Sequence, residues 1–245
     1  MNVLVLGYGL LGKELVNQTG WDYRCRENLG WDSQPIPFDI TDISTFTDTI
    51  LEWFGTPHSG IVGYIKPTVL INCVANTNTY STDKKSHIDV NYNGVVNLVE
   101  FCNKHEIKLV QISTDYVYAN STGTPTEDDV PVHAENWYSY SKLLADGYIE
   151  LKSNDYLILR GGHKKIPYPH PNVGLQIGNF DYVDVISKII INLVNQEKSG
   201  IFNIGTDTKT LLSLAKQTNI NVNSKSLSNN IPTDVSMDIT KLKNI

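Results

Sequence analysis

The chain has 245 residues, of which 40% are hydrophobic and 19% charged, with a formal net charge of −6. That size suits one α/β domain with a small appendage, and it buries a core without help from disulfides or metals. The acidic balance argues against a nucleic-acid partner, which calls for a basic surface. Cys25, Cys73 and Cys102 are odd in number and widely spaced, so they read as reduced thiols rather than a disulfide framework or a zinc site. No metal is expected, because the six histidines show no ligand spacing. The N-terminus has no basic leader, and no apolar run nears the ~20 residues of a membrane span. The expectation is a soluble, cytoplasmic chain with neither a membrane nor a nucleic acid among its partners.

Asn2 to Leu6 is a short Val/Leu run ended by Gly7, the pattern of a buried parallel strand. A helical pattern follows from Leu10 to Gln18 and stops at Thr19-Gly20. Asp22 to Arg26 reads as a weak second strand, and Asn28 to Pro37 as loop. Asp39-Ile40-Thr41-Asp42 offers caps for a helix from about Ile43 to Phe54, before a turn-rich stretch from Thr56 to Gly63. Thr68 to Val74 is a strong β-run, and Ser81 to His105 one long helical segment. Ile107 to Ile112 is a strand, Asn120 to Pro131 a polar loop, Trp137 to Leu151 a helix and Tyr156 to Leu159 a strand. Strands alternating with helices predict a Rossmann-type, doubly wound parallel sheet over residues 1–160. Residues 161–245 predict a mixed segment. Gly161 to Gly178 reads as an irregular connection, Val183 to Asn195 as an amphipathic helix packing back on the sheet, Ile201 to Ile204 as a strand and Leu211 to Gln217 as a helix. The tail from Asn219 is rich in Asn and Ser. Parts of 161–180 and 200–245 are expected to form a small, abbreviated C-terminal substrate lobe.

Gly7-Tyr8-Gly9-Leu10-Leu11-Gly12 sits between the first strand and the first helix, where a dinucleotide site needs it. The first glycine permits a tight turn, the second lets backbone approach a pyrophosphate, and the third lets helix pack on strand. The phosphates then meet the positive end of a helix. An acidic residue near the end of the second strand suits NAD, and an arginine suits a 2′-phosphate. Arg24 and Arg26 outnumber Glu27 there, which favours NADP(H) over NAD(H).

Tyr138 and Lys142 are four apart on a predicted helix and share a face. A free phenol titrates near ~10, too high for acid–base work at neutral pH, and a nearby ammonium lowers it. The pair can then deliver a proton to a carbonyl oxygen as hydride reaches its carbon. Lys142 is also placed to hold a nicotinamide ribose. Ser113-Thr114-Asp115 follows a strand, where a hydroxyl faces the ligand crevice and can hold the reacting oxygen.

Together with Asn72-Cys73-Val74-Ala75, Ser113-Thr114-Asp115-Tyr116-Val117-Tyr118 and Tyr138-Ser139-Tyr140-Ser141-Lys142, the glycine turn resembles the extended short-chain dehydrogenase/reductases. Within them the chain is most similar to the dTDP-4-dehydrorhamnose reductase branch. Asp39 to Asp42, Val90-Asn91 with Gly94, and Pro232 to Leu242 fit the same pattern. The resemblance implies that Thr114 holds the substrate oxygen, Tyr138 donates the proton, and Lys142 tunes Tyr138 and grips the ribose. It implies that Asp39 and Ile40 line an adenine pocket, that Cys73, Val74 and Ala75 pass along the cofactor, and that Leu10, Leu11, Arg26 and Asn91 belong to the same site. The implied function is NADPH-dependent reduction of a nucleotide-linked 4-keto-6-deoxy sugar. The dehydratases of this superfamily carry Asp-Glu after the threonine. Here Asp115 precedes Tyr116, which disfavours dehydration and leaves both as candidate substrate contacts. The reductases carry Thr-Ser-Trp after the arginine, whereas this chain has Arg160-Gly161-Gly162-His163, so His163 becomes the candidate sugar contact. Members often dimerise through helices, making a homodimer a further expectation. Two alternatives stay open: a non-catalytic NADP-binding regulatory subunit of the methionine adenosyltransferase β type, and an epimerase of the same superfamily.

Overall fold

The computed structural model describes residues 1–26, 38–51, 66–121, 123–131 and 136–245. The first half alternates strand and helix: β1 (Val3–Leu6), α1 (Leu10–Thr19), β2 (Asp22–Arg24), β3 (Val69–Asn72), α2 (Lys84–Ile88), α3 (Gly94–His105), β4 (Lys108–Ile112), α4 (Trp137–Lys152) and β5 (Tyr156–Arg160). The rest comprises β6 (His163–Lys164), β7 (Asn172–Gly174), β8 (Ile177–Gly178), β9 (Asp181–Tyr182), α5 (Val183–Asn195), β10 (Gly200–Asn203), β11 (Lys209–Thr210), α6 (Leu211–Lys216), β12 (Asn223–Lys225), β13 (Asp234–Val235) and α7 (Thr240–Lys243). The main sheet has the order β10-β5-β4-β3-β1-β2, and every pair in it is parallel.

The strand sequences explain the layering. Every residue of β1 and β3 is buried, as a parallel sheet covered on both faces demands. Side chains alternate between those faces. Leu4, Leu6, Leu70, Leu109 and Ile158 pack against Leu98 and Val99 of α3 and Ala145 and Ile149 of α4. Val3, Val5, Ile71, Val110 and Leu157 pack against Leu11 and Leu15 of α1 and Ile186, Ile190 and Leu193 of α5. Helix α5 therefore returns to the sheet, where Gln18 of α1 donates to Ser187 Oγ at 2.8 Å.

Several boundaries differ from the sequence expectations. The second strand stops at Arg24. The helix expected from Ile43 opens as a 3-10 turn over Ile43–Thr45 and continues as a π turn over Thr47–Leu51, while positions 52–65 lie outside the described residues. Thr49 Oγ donates back to Thr45 O at 2.5 Å, a side-chain bond that competes with regular α-helix. The expected loop at 28–37 and Glu27 also lie outside the described residues. The long helix from Ser81 starts only at Lys84, with Asp83 accepting from Ser86 N at 3.1 Å, and carries a π turn over Asp89–Asn93. The expected irregular connection and Asn/Ser tail hold short strands instead. There β7 pairs with β12, β8 with β11 and β13, and β6 with β9. Tyr168, Val173, Phe180, Tyr182, Leu214 and Val235 give this lobe its own small core. Strands of two or three residues are too short to show periodicity. Among the described residues, no helix is long and apolar enough to cross a membrane.

Leu70 is fully buried in the middle of the sheet. Leu70→Ala should cost about 3 kcal/mol and lower the calorimetric Tm by about 10 °C. Leu151→Ala, at a position 77% exposed on α4, should leave Tm in place.

Candidate active site

Strand β1 is flanked by β2 on one side and β3 on the other, so the strand order reverses at β1. The crevice at the carboxyl ends of such strands is where this architecture binds ligands. Gly7 turns there with φ +93°, a region that favours glycine. A Cβ on Gly12 would lie 1.9 Å from Gly7 O, so only glycine lets α1 pack this close to the turn. A Cβ on Gly9 would meet no protein atom within 4 Å. Gly9 precedes α1 without a side-chain cap, and the first turn of α1 holds no acid. Its leading amides therefore lack intrahelical partners and present the positive end of the helix.

These residues open on a cavity of about 640 Å³. Of the expected cofactor residues, Gly7, Gly9, Arg26, Asp39, Ile40, Cys73, Val74 and Ala75 line it. Leu10, Leu11, Gly12, Asn91 and Lys142 do not. Leu10 is exposed at the helix start, Leu11 is buried against the sheet, and Gly12 serves the helix–turn contact. Tyr8, Cys25, Phe38, Asn76, Ser86 and Val90 also line the cavity. Tyr8 carried a sequence signal as part of the glycine turn, and Val90 as part of the Val90-Asn91 pattern. Cys25, Phe38, Asn76 and Ser86 come from segments whose approach depends on tertiary packing.

The two arginines separate. Arg24 is buried and donates through Nε to Thr49 O at 2.9 Å and through Nη1 to Tyr23 O at 2.6 Å. It braces β2 and does not line the cavity, so the argument for NADP(H) from two arginines reduces to Arg26. Arg26 is exposed at the rim, with its Nη2 2.7 Å from Asp39 Oδ2. Asp39 Oδ1 accepts from Thr41 N at 2.9 Å and Thr41 Oγ at 2.7 Å. Burial works against the Asp39 carboxylate, but these bonds and Arg26 together hold it below the usual range.

Asn91 sits in the π turn. Its Oδ1 accepts from Asn76 N at 2.8 Å, and its Nδ2 donates to Asn76 O and Ser141 Oγ, both at 3.0 Å. It stands behind the cavity wall and ties the loop after β3 to α4. The π turn supplies the extra residue that aims it there.

Thr114 leaves β4 in extended backbone. Its Oγ accepts from Tyr116 N at 3.2 Å and donates to Asp115 Oδ1 at 3.2 Å. Asn136 caps α4 by accepting from Ser139 N at 2.9 Å, which sets Tyr138 in the first turn. The Tyr138 phenol is within hydrogen-bonding reach of the Thr114 hydroxyl. Burial, reinforced by Asp115 and Asp146 and opposed by that bond, pushes the phenol up to about 12. Lys142 is buried, and its Nζ donates to Ile112 O at 2.5 Å. Burial lowers the ammonium to about 8, against Asp146 and Cys73. The expected lowering of Tyr138 by Lys142 is thus not found. The ammonium is spent on a strand carbonyl, and desolvation dominates at the phenol.

On the substrate side, Asp115 is buried under Gly162, where a Cβ would meet its Oδ2 at 2.8 Å. Tyr116 packs edge-on to Tyr138, with ring centroids 6.1 Å apart, and its hydroxyl accepts from Gln176 Nε2 at 3.1 Å. Nothing in the sequence marked Gln176. His163 is held down to about 4 by burial and by Lys164, so it is a neutral ring in β6. Among the described residues, no group of three His, Cys, Asp or Glu side chains is placed to hold a metal.

The fold and site define a class: the extended short-chain dehydrogenase/reductases, which are NAD(P)-dependent oxidoreductases. Residues 1–163 match the family model described as RmlD substrate binding domain, and the chain belongs to that family. No curated protein matches the chain. Among solved structures, it is similar to a hypothetical dTDP-4-dehydrorhamnose reductase from Sulfolobus tokodaii, at 22% identity and TM-score 0.79, over 100% of this chain and 94% of that one. It is similar to a dTDP-4-dehydrorhamnose reductase from Bacillus anthracis in complex with NADP, at 22% identity and TM-score 0.76, over 99% and 92%. A Thermus thermophilus UDP-glucose 4-epimerase complex with NAD shares the fold at 18% identity and TM-score 0.74, over 100% and 92%. These overlaps run through the lobe after Arg160 as well as the main sheet.

The glycine turn separates binding from folding. Gly9→Ala should keep stability within about 0.5 kcal/mol and weaken dinucleotide binding about tenfold or more by calorimetric titration. Gly12→Ala should destabilise the fold itself by about 3 kcal/mol in denaturant unfolding.

Proposed function

We propose that this chain is an NADPH-dependent reductase of a nucleotide-linked 4-keto-6-deoxy sugar, of the dTDP-4-dehydrorhamnose reductase kind. The observation that carries the reading is the pairing of Thr114 with a proton-bearing Tyr138 near the cavity that the glycine turn lines. The bare cradle at Gly9 and the open end of α1 fit a pyrophosphate. Arg26 is the rim cation suited to a 2′-phosphate, and Asp39 holds it in place. The cofactor, when bound, supplies hydride.

The chain's own residues do the rest. Tyr138, like any phenol, carries its proton at neutral pH, and burial disfavours the phenolate further, so it is a donor to the carbonyl oxygen rather than a base. Thr114 orients that oxygen by turning its hydroxyl proton from Asp115 Oδ1 to the substrate. Lys142 contributes positive charge beneath the phenol and the ribose site, anchored on Ile112 O. Tyr116 and the neutral His163 provide ring surface for the sugar.

Purified protein should oxidise NADPH when given dTDP- or UDP-4-keto-6-deoxyglucose. Absence of turnover with every nucleotide ketosugar would refute the reading. Tyr138→Phe should cut kcat by about a hundredfold or more while NADPH affinity stays within about twofold. Arg26→Ala should weaken NADPH about tenfold and leave NADH unchanged, as read by fluorescence titration of both cofactors.

A further inference from the structure

Asp146 lies one helical turn beyond Lys142 on α4, and both side chains are buried. Asp146 Oδ2 accepts from Ser113 Oγ at 2.8 Å and from Arg160 Nε at 3.0 Å. Its Oδ1 is buried with no hydrogen-bond partner. A carboxylate in the interior is expected to use both oxygens. Arg160 does not consume this one, since its Nη1 donates to Tyr118 Oη at 2.6 Å and its Nη2 lies 3.5 Å from Glu150.

Lys142 faces few charges. From β3 comes the Cys73 thiol, pushed up to about 12 by burial and therefore neutral. From β4 come the Ile112 carbonyl and the Ser113 hydroxyl. On α4 itself lie the neutral Tyr138 phenol and Asp146. From β5 comes Arg160, a second cation on the same carboxylate. No carboxylate of the described residues forms an ion pair with Lys142 within 4.0 Å.

The geometry points to Asp146 as a positioning residue for Lys142, its free carboxylate oxygen supplying the buried negative charge that keeps the ammonium charged beside Tyr138. Burial pushes the Asp146 carboxyl up, while Arg160, the Ser113 hydroxyl and Lys142 favour its charged form, and Ser113 and Arg160 both hold Oδ2 in place. Glu150, with a half-exposed side chain, shares Arg160 and leaves Asp146 the surplus charge that reaches Lys142. The coupling rests on the one-turn spacing of two buried side chains of opposite charge and on the unpartnered Oδ1, with the charge of each felt by the other. Its importance for turnover rests on the reductase reading above.

The test follows Lys142 by NMR of lysine-labelled, cofactor-free protein. Lys142 should lose its proton near pH 8. Asp146→Asn keeps the side chain's size and removes its charge, and the Lys142 midpoint should fall by about one pH unit or more. Asp146→Glu should restore most of it, and Ser113→Ala, which removes a hydrogen bond but no charge, should leave it unmoved. The reductase rate needs the ammonium, so its alkaline limb in kcat/KM should shift to lower pH by the same amount in Asp146→Asn. An unchanged Lys142 midpoint in Asp146→Asn overturns the assignment. Should that variant not fold, the wild-type protein decides. The Asp146 carboxyl carbon should inflect at the Lys142 midpoint, and a flat trace there overturns the assignment. The NMR readout requires no turnover, so failure of every ketosugar would sink the reductase reading and leave this coupling intact.

Discussion

The burial of β1 on all sides but one governs the rest of the molecule. Its edges are bonded to β2 and β3, and its two faces are covered by helices. Only the carboxyl end is open, and there the chain must turn sharply enough for α1 to lie back on the sheet. Gly7 and Gly12 are the residues at which that turn is physically narrow. A packed strand thus produces a cavity at its tip where the glycine turn leaves backbone bare, the surface that a dinucleotide's phosphates need.

The candidate acid–base groups, Tyr138 and Lys142, sit on α4, and burial acts on their protonation too. Tyr138 is pushed up and Lys142 pulled down, each toward its neutral form. Under the reductase reading the site uses a neutral phenol, which burial reinforces, and a charged ammonium, which burial opposes and a counter-charge must sustain. The buried Asp146–Arg160 pair is better understood in that light than as a source of stability, because buried ion pairs contribute little once their desolvation is counted.

What could be read in advance follows element length and locality. The glycine turn, the strand after which Thr114 stands, and the four-residue spacing of Tyr138 and Lys142 are local patterns on long elements, and the structure puts them at one end of the sheet. Arg24 and Arg26 looked alike in sequence, and on a continuing strand they would share a face, yet β2 ends at Arg24, which is buried, and Arg26 beyond it stands at the rim. The lobe was illegible because its strands are two or three residues long and pair across large separations, as β8 does with β13. Asn91 was found by its motif, but its place behind the wall depends on a π turn that no periodicity announces. Asp146 gave no signal at all, since an acid on a helix reads as solvated until Arg160 and Ser113 are seen against it.

The interleaving of lobe and sheet has a consequence for how the chain can be divided. β10 is the outermost strand beside β5, and α5 covers one face, yet both come after lobe strands in the chain. Asn203 at the end of β10 donates to Pro125 O at 3.3 Å and Asp238 O at 3.0 Å, and Asn179 Oδ1 accepts from Met237 N at 2.9 Å. A fragment ending at Arg160 would expose the edge of β5 and strip the apolar covering from Val110, Leu157 and Leu159. Bare strand edges beside uncovered apolar surface associate with one another. The nucleotide-binding half is therefore no module that evolution or an engineer can excise at the lobe boundary, because its last structural wall is delivered only after the chain has built much of the lobe.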